Sequence, residues 1–270
     1  MMNPQHGADR PLVDTHVHIF KHDMPLVPDP RHRPQYDFTV EQLLEVMDGH
    51  GVSHAVVAAA SPWGDYNAYT LASLRKSRRL RGTIIAQPSI ERAILNQMDE
   101  AGIVGVRLSA ISMKSMPDLE SWEYRKFLYR LADLGWHVHV HAESAQLPAL
   151  LPPLERAGVK IVIDHIGRPD PVAGIDSDGF RAMVGAVQQG RAWVKLSAAY
   201  RLGENAAECA QALLQAVDCE RLFWASDCPF VGAESRMTYQ ASIDWLNHTV
   251  SDAGARRKIF GENALRFYFS

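Results

Sequence analysis

Pro11-Leu12-Val13-Asp14-Thr15-His16-Val17-His18-Ile19-Phe20 is a short apolar run near the N-terminus that carries two histidines two residues apart. Its β-branched content predicts a strand. Successive strand side chains point to opposite faces, so His16 and His18 share one face while Val13, Thr15 and Val17 take the other. Two imidazoles converging on one point make part of a metal-ligand set, and the weight of that reading depends on what the rest of the chain brings there.

Working outward, seven more short apolar runs follow, at residues 54–60, 81–88, 105–110, 137–142, 160–167, 192–198 and 221–229. Segments of helical period separate them, roughly at 39–50, 66–77, 90–101, 118–134, 145–157, 177–188, 204–217 and 236–250, with a last one near 252–267. Thr39-Val40-Glu41-Gln42 has the form of a capping box, and Gly51 stands just past the end of the helix it opens. Eight strand–helix pairs in one uninterrupted series predict an α/β fold, a single (β/α)8 TIM barrel over residues 1–270 with an extra C-terminal helix, in preference to an open doubly wound sheet.

Composition agrees. With 270 residues, 47% hydrophobic and 22% charged, the chain can bury a sizeable core. A net charge of -3 leaves no basic excess for nucleic acid, and the cluster Arg75, Lys76, Arg78, Arg79 and Arg81 suits a helix end. No run approaches the ~20 apolar residues of a membrane span, and the first residues carry no apolar signal core, so a cytoplasmic protein without a membrane partner is expected. Cys209, Cys219 and Cys228 are too few and too scattered for a disulfide framework. The sequence leaves the oligomeric state open.

In such barrels the chemistry sits at the C-terminal ends of the strands. There the sequence places His16 and His18, Arg107, the run His137-Val138-His139-Val140-His141, Asp164-His165, Lys195 and Arg201, and Asp227. His137 and His139 lie deeper on their strand and read as interior packing. Lys195, a lysine inside a strand, either pairs with a carboxylate or serves the site.

The order of these pieces resembles the amidohydrolase superfamily. Within it, Val13-Asp14-Thr15-His16-Val17-His18, Gly105-Val106-Arg107, Leu134-Gly135-Trp136, Val162-Ile163-Asp164-His165-Ile166-Gly167-Arg168-Pro169, Val194-Lys195-Leu196-Ser197, Ala225-Ser226-Asp227 and Phe260-Gly261-Glu262-Asn263-Ala264 resemble the branch of the pyrone-dicarboxylate lactonases. The resemblance implies a barrel that opens lactone rings, often carboxylated ones from sugar or aromatic breakdown. It also implies that His16, His18, His141 and Asp227 bind one divalent metal, zinc by the chemistry of the donors, with a water in the open position. His141 stands where this branch has a substrate-contacting tyrosine and where metal-dependent amidohydrolases have a ligand histidine.

On that reading Asp227 takes the proton of the attacking water and His165 hydrogen-bonds the water or the developing oxyanion. A metal-free variant keeps Asp227 as base, with His16, His18 and His165 polarising the carbonyl. Arg107 and Arg201 are placed to grip a substrate carboxylate. A further arginine of the branch is replaced here by Met113, followed by Lys114, which could remake the contact. The expected partner is thus a small anionic lactone, carboxylated or sulfonated. The alternatives are a metal-dependent decarboxylase of an aromatic or unsaturated acid, on the same ligands, and a non-catalytic binding barrel. The proline-bearing loop after the first strand, with Pro25, Pro28, Pro30 and Pro34, and the turn around Trp63 are long enough to cover the pocket.

Overall fold

Eight parallel strands follow one another around a barrel in the computed structural model, which describes residues 11–113 and 115–270. They are β1 (Leu12–Val17), β2 (Val52–Val57), β3 (Leu80–Ile84), β4 (Ile103–Ser109), β5 (His137–His141), β6 (Lys160–Ile163), β7 (Ala192–Leu196) and β8 (Leu222–Trp224). The seam between the ends closes through His18 N–H to Cys228 O (2.8 Å) and Asp227 N–H to His16 O (3.0 Å). The outer ring is α1 (Val40–Gly49), α2 (Ala68–Leu74), α3 (Arg92–Glu100), α4 (Trp122–Asp133), α5 (Leu147–Arg156), α6 (Asp178–Gln188), α7 (Ala206–Ala216) and α8 (Tyr239–Thr249). The capping box at Thr39 and Gln42 forms, and Gly51 takes φ 69°, a left-handed turn that glycine makes without a Cβ penalty. Among the described residues no helix is long and apolar enough to cross a membrane.

Several strands stop short of the apolar runs that mark them. Residues 160–167 read as one run, yet β6 ends at Ile163, because His165 and Ile166 turn into left-handed conformations (φ 53° and 55°). The run stays apolar because the mouth of the barrel is itself buried: Ile166 is 1% exposed.

The end of the chain is divided. In place of one helix, α9 (Ala253–Arg257) passes through a π-helical turn, Lys258–Glu262, into α10 (Asn263–Tyr268). The wide turn sets Gly261 against β1 so closely that a Cβ there would lie 1.8 Å from Pro11 O, which no other residue could tolerate. Behind it Phe267 packs on His137, Trp193 and Phe223, and Tyr268 on His137 and Phe223. These residues lie at the starts of β5, β7 and β8, so the C-terminal aromatics plug the floor of the barrel opposite its mouth.

Candidate active site

Strict alternation along β1 puts Val13 and Val17 on one face, but in the structure they join different apolar clusters, Val13 with Phe223 and Tyr268 of the floor and Val17 with the main core. The reason is two register shifts against β2, one at Leu12/Val13 and one between Asp14 and Val17. Asp14 anchors the irregular segment. Its carboxylate accepts from Ser226 N (3.0 Å), Tyr239 Oη (2.6 Å) and His16 N (3.1 Å), tying β1 to the end of β8 and to α8.

This anchoring delivers His16 and His18 to the mouth with their edges facing. The Nε2 atoms are 3.2 Å apart. The His18 Nδ1–H donates to Ala58 O (2.8 Å), and the His16 Nδ1–H donates to the Asp164 carboxylate (3.1 Å). Since a carbonyl and a carboxylate only accept, both Nδ1 atoms carry the proton, and both Nε2 atoms point lone pairs into the pocket. Asp227 Oδ1 joins them at 3.7 Å from His16 Nε2 and 3.5 Å from His18 Nε2.

Three acceptors facing one another with no donor between them call for a cation. Tetrahedral ligands at about 2.0–2.1 Å from an ion are separated from one another by about 3.3–3.4 Å. The three observed edges fall around that spacing, so His16, His18 and Asp227 fit a divalent metal. His141 lies outside this group among the described residues. It lines the same pocket, with its ring 5.5 Å from that of His165 and its Nδ1 3.2 Å from Ser109 Oγ.

The other Asp227 oxygen is occupied. Oδ2 accepts from Tyr200 Oη (2.7 Å) and Arg201 Nε (2.8 Å). Burial works against the charge of Asp227, but the neighbouring cation, the Arg201 guanidinium, outweighs it and holds the carboxyl well below its usual range. His165 Nε2 lies 4.0 Å from Oδ1, and its Nδ1 meets Ser197 Oγ at 2.8 Å. His165, Arg168, Ala198, Asp227 and Phe230 all have left-handed backbones, with φ from 47° to 68°. Such strain costs about 1 kcal/mol or more per residue, and here it gathers just beyond β6, β7 and β8, where it turns side chains back over the pocket.

Beneath the site lies a buried charge cluster that the sequence reading did not assemble. Asp164, fully buried, accepts from Arg107 Nε (3.2 Å) and Nη2 (3.0 Å) on one oxygen and from His16 on the other, where His139 Nε2 also makes a short contact. Lys195 Nζ donates to Thr15 O (2.6 Å), meets His139 Nε2 at 2.6 Å and stands 3.6 Å from Asp164. Burial first of all pushes the Lys195 ammonium down to about 7, against the pull of Asp164. His139 thus belongs to the polar network, whereas His137 packs against the floor aromatics.

The expected substrate arginines are both engaged by carboxylates. Arg107 is only 5% exposed and spends its third contact on Ala59 O (2.9 Å); Arg201 also binds Val231 O (2.9 Å) and lies over the Tyr200 ring. Both still line the pocket, where Arg31, His32 and Arg168 join them. Lys114 lies outside the described residues. Arg31 and His32 carried no motif, so only the fold of the loop between β1 and α1 could place them.

The buried histidines predict how stability responds to acid. Burial, the largest cause, pushes His165 from its ordinary 6.5 down to about 4 and His139 down to about 3. Below pH 6.5 the unfolded chain takes up protons that the folded chain refuses, so stability falls through that window, by about 3 kcal/mol for His165 alone. Asp164 and Asp227, whose carboxyls are depressed, lose their contribution at still lower pH. The midpoint of urea unfolding should therefore decline steadily from pH 7 to pH 4. A flat profile would show that these imidazoles are not buried neutral.

A family model described as amidohydrolase matches residues 13–269. The chain belongs to the amidohydrolase family. Among curated relatives, this amidohydrolase is 28% identical to a 2-pyrone-4,6-dicarboxylate hydrolase of Comamonas testosteroni, over 98% of this chain and 92% of that one. It is 25% identical to a 4-sulfomuconolactone hydrolase of Hydrogenophaga intermedia, over 94% and 88% of the two chains. A crystal structure from Acinetobacter baumannii, named a probable 2-pyrone-4,6-dicarboxylic acid hydrolase and holding citric acid, superposes with a TM-score of 0.90 at 30% identity, covering 95% of this chain and 98% of that one.

Proposed function

We propose that this amidohydrolase opens the ring of an anionic lactone, carboxylated or sulfonated, by attack of an activated water on the lactone carbonyl. The observation that carries the reading is the convergence of Asp227 Oδ1 on His16, His18 and His165 (3.7, 3.5 and 4.0 Å) at the base of an arginine-lined pocket. The relatives named as lactone hydrolases support it.

Asp227, ionised and with Oδ1 free of the Tyr200 and Arg201 bonds, takes a proton from water as the new C–O bond forms. In the tautomer where the Ser197 hydroxyl donates to Nδ1, His165 presents its Nε2–H as a hydrogen-bond donor to the developing oxyanion, a contact worth a few kcal/mol. When the tetrahedral carbon collapses, the ring C–O bond breaks and the proton held by Asp227 passes to the departing oxygen. Arg201 orients the substrate's anionic group, while Arg107 acts through Asp164. A divalent ion held by His16, His18 and Asp227, zinc in keeping with the imidazole-rich donors, would polarise the carbonyl and acidify water there.

The decarboxylase alternative gains from His141, which lines the same pocket though not within ligand spacing of His16, His18 and Asp227, and loses from the likeness to the relatives named as lactone hydrolases. The test is to purify the protein without added metal, measure its metal content, and follow lactone opening by proton release before and after chelation. We expect one divalent ion, whose removal abolishes turnover and lowers the melting temperature, and whose return restores both. Undiminished turnover by metal-free protein would instead leave Asp227 and the histidines as the whole apparatus. Metal lost from His141→Ala would assign that residue to the ligand set; metal retained would make it a substrate contact.

A further inference from the structure

Four guanidinium groups line the pocket, those of Arg31, Arg107, Arg168 and Arg201. Three have a carboxylate of their own: Arg107 pairs with Asp164 (3.0 Å), Arg201 with Asp227 (2.8 Å) and Arg168 with Glu143 (3.2 Å). Arg31 has no ion pair and no side-chain hydrogen bond among the described residues, although it shares the pocket wall with Arg168 and Arg201. The residue is exposed at the rim, yet its head group is held somewhat below its ordinary range, first by desolvation and then by the neighbouring Arg168. A like charge beside an already paired arginine is unfavourable until an anion enters.

We propose that Arg31, with Arg168 beside it, forms a second anion subsite at the mouth of the pocket and selects substrates that carry an anionic group remote from the reacting carbonyl. This rests on the lactone reading and deepens it: a lactone with one anionic group uses Arg201, and one with two also uses Arg31. Arg31 lies on the loop between β1 and α1, whose His32 and Pro34 also line the pocket, so the second contact is supplied by that loop.

The experiment is calorimetric binding of citrate, which has three carboxylates and does not react, and of lactate, which has one, to wild-type protein and to Arg31→Gln. We expect citrate affinity to fall about tenfold or more in the variant, as for loss of a charge-assisted contact, while lactate affinity and the melting temperature stay unchanged. Citrate bound equally by both proteins, no citrate binding by the wild type, or equal losses for citrate and lactate would each overturn the subsite. Lactone turnover by the wild type is measured alongside. If citrate discrimination is present but no lactone is opened, the hydrolase reading fails and the subsite stands; if lactones are opened without discrimination, the subsite alone fails.

Discussion

Asp227→Asn should lower the rate of lactone opening by about a thousandfold or more, with thermal unfolding close to that of the metal-free wild type. The amide is isosteric, and its oxygen can keep the hydrogen bonds from Tyr200 and Arg201 that now end on Oδ2. Its nitrogen then faces His16, His18 and His165, where Oδ1 stands between 3.5 and 4.0 Å from their Nε2 atoms. An NH2 group has neither a lone pair for a cation nor the basicity to accept a proton from water. The same substitution should therefore strip the divalent ion, read by elemental analysis on the purified variant. Turnover within about tenfold of wild type would sink the base assignment, because general-base contributions are usually larger than that.

Much of this arrangement was legible in the sequence, and the reasons are physical. Barrel strands are buried on both faces and read as continuous apolar runs, so polar residues at their ends stand out: His16, His18, His165 and Asp227 could be named, and the structure brings all four together. What escaped was whatever depends on the third dimension. Asp164 sits next to His165 in sequence, but its role comes from Arg107, His16, His139 and Lys195, on four other strands. Strand alternation misjudged β1 because the register shifts that present the two histidines come from Asp14 bonding to Ser226 and Tyr239, more than 200 residues away. Arg31 and His32 lie in a loop whose path no periodicity encodes. The helix at 252–267 looked continuous because a π-turn leaves the apolar pattern almost intact, whereas the close approach of Gly261 to Pro11 that accompanies it is a long-range contact no periodicity encodes.

Asp164→Ala is the substitution expected to cost the fold most. It leaves Arg107 in the barrel interior without its counter-charge, where removing one partner of a buried ion pair costs about 3–5 kcal/mol, while Lys195, already pushed down to about 7, gives up its proton. For a chain of this length that corresponds to a melting temperature lower by about 10 °C. Lost packing alone would give a smaller effect, and a second substitution separates the two. If unpaired charge is the cause, adding Arg107→Met, which removes the stranded guanidinium, should recover part of the loss; if packing is the cause, the two losses should add. The catalytic consequence is separate from the stability one. Without Asp164, His16 has no acceptor for its Nδ1–H, and the tautomer that points a lone pair at His18 and Asp227 is no longer enforced. Metal affinity should then fall about 10–100-fold even at temperatures where the variant is fully folded. Unchanged metal affinity in the folded Asp164→Ala protein would mean that the His16 ring is oriented by its packing against His18, His139 and His165 rather than by the carboxylate beneath it.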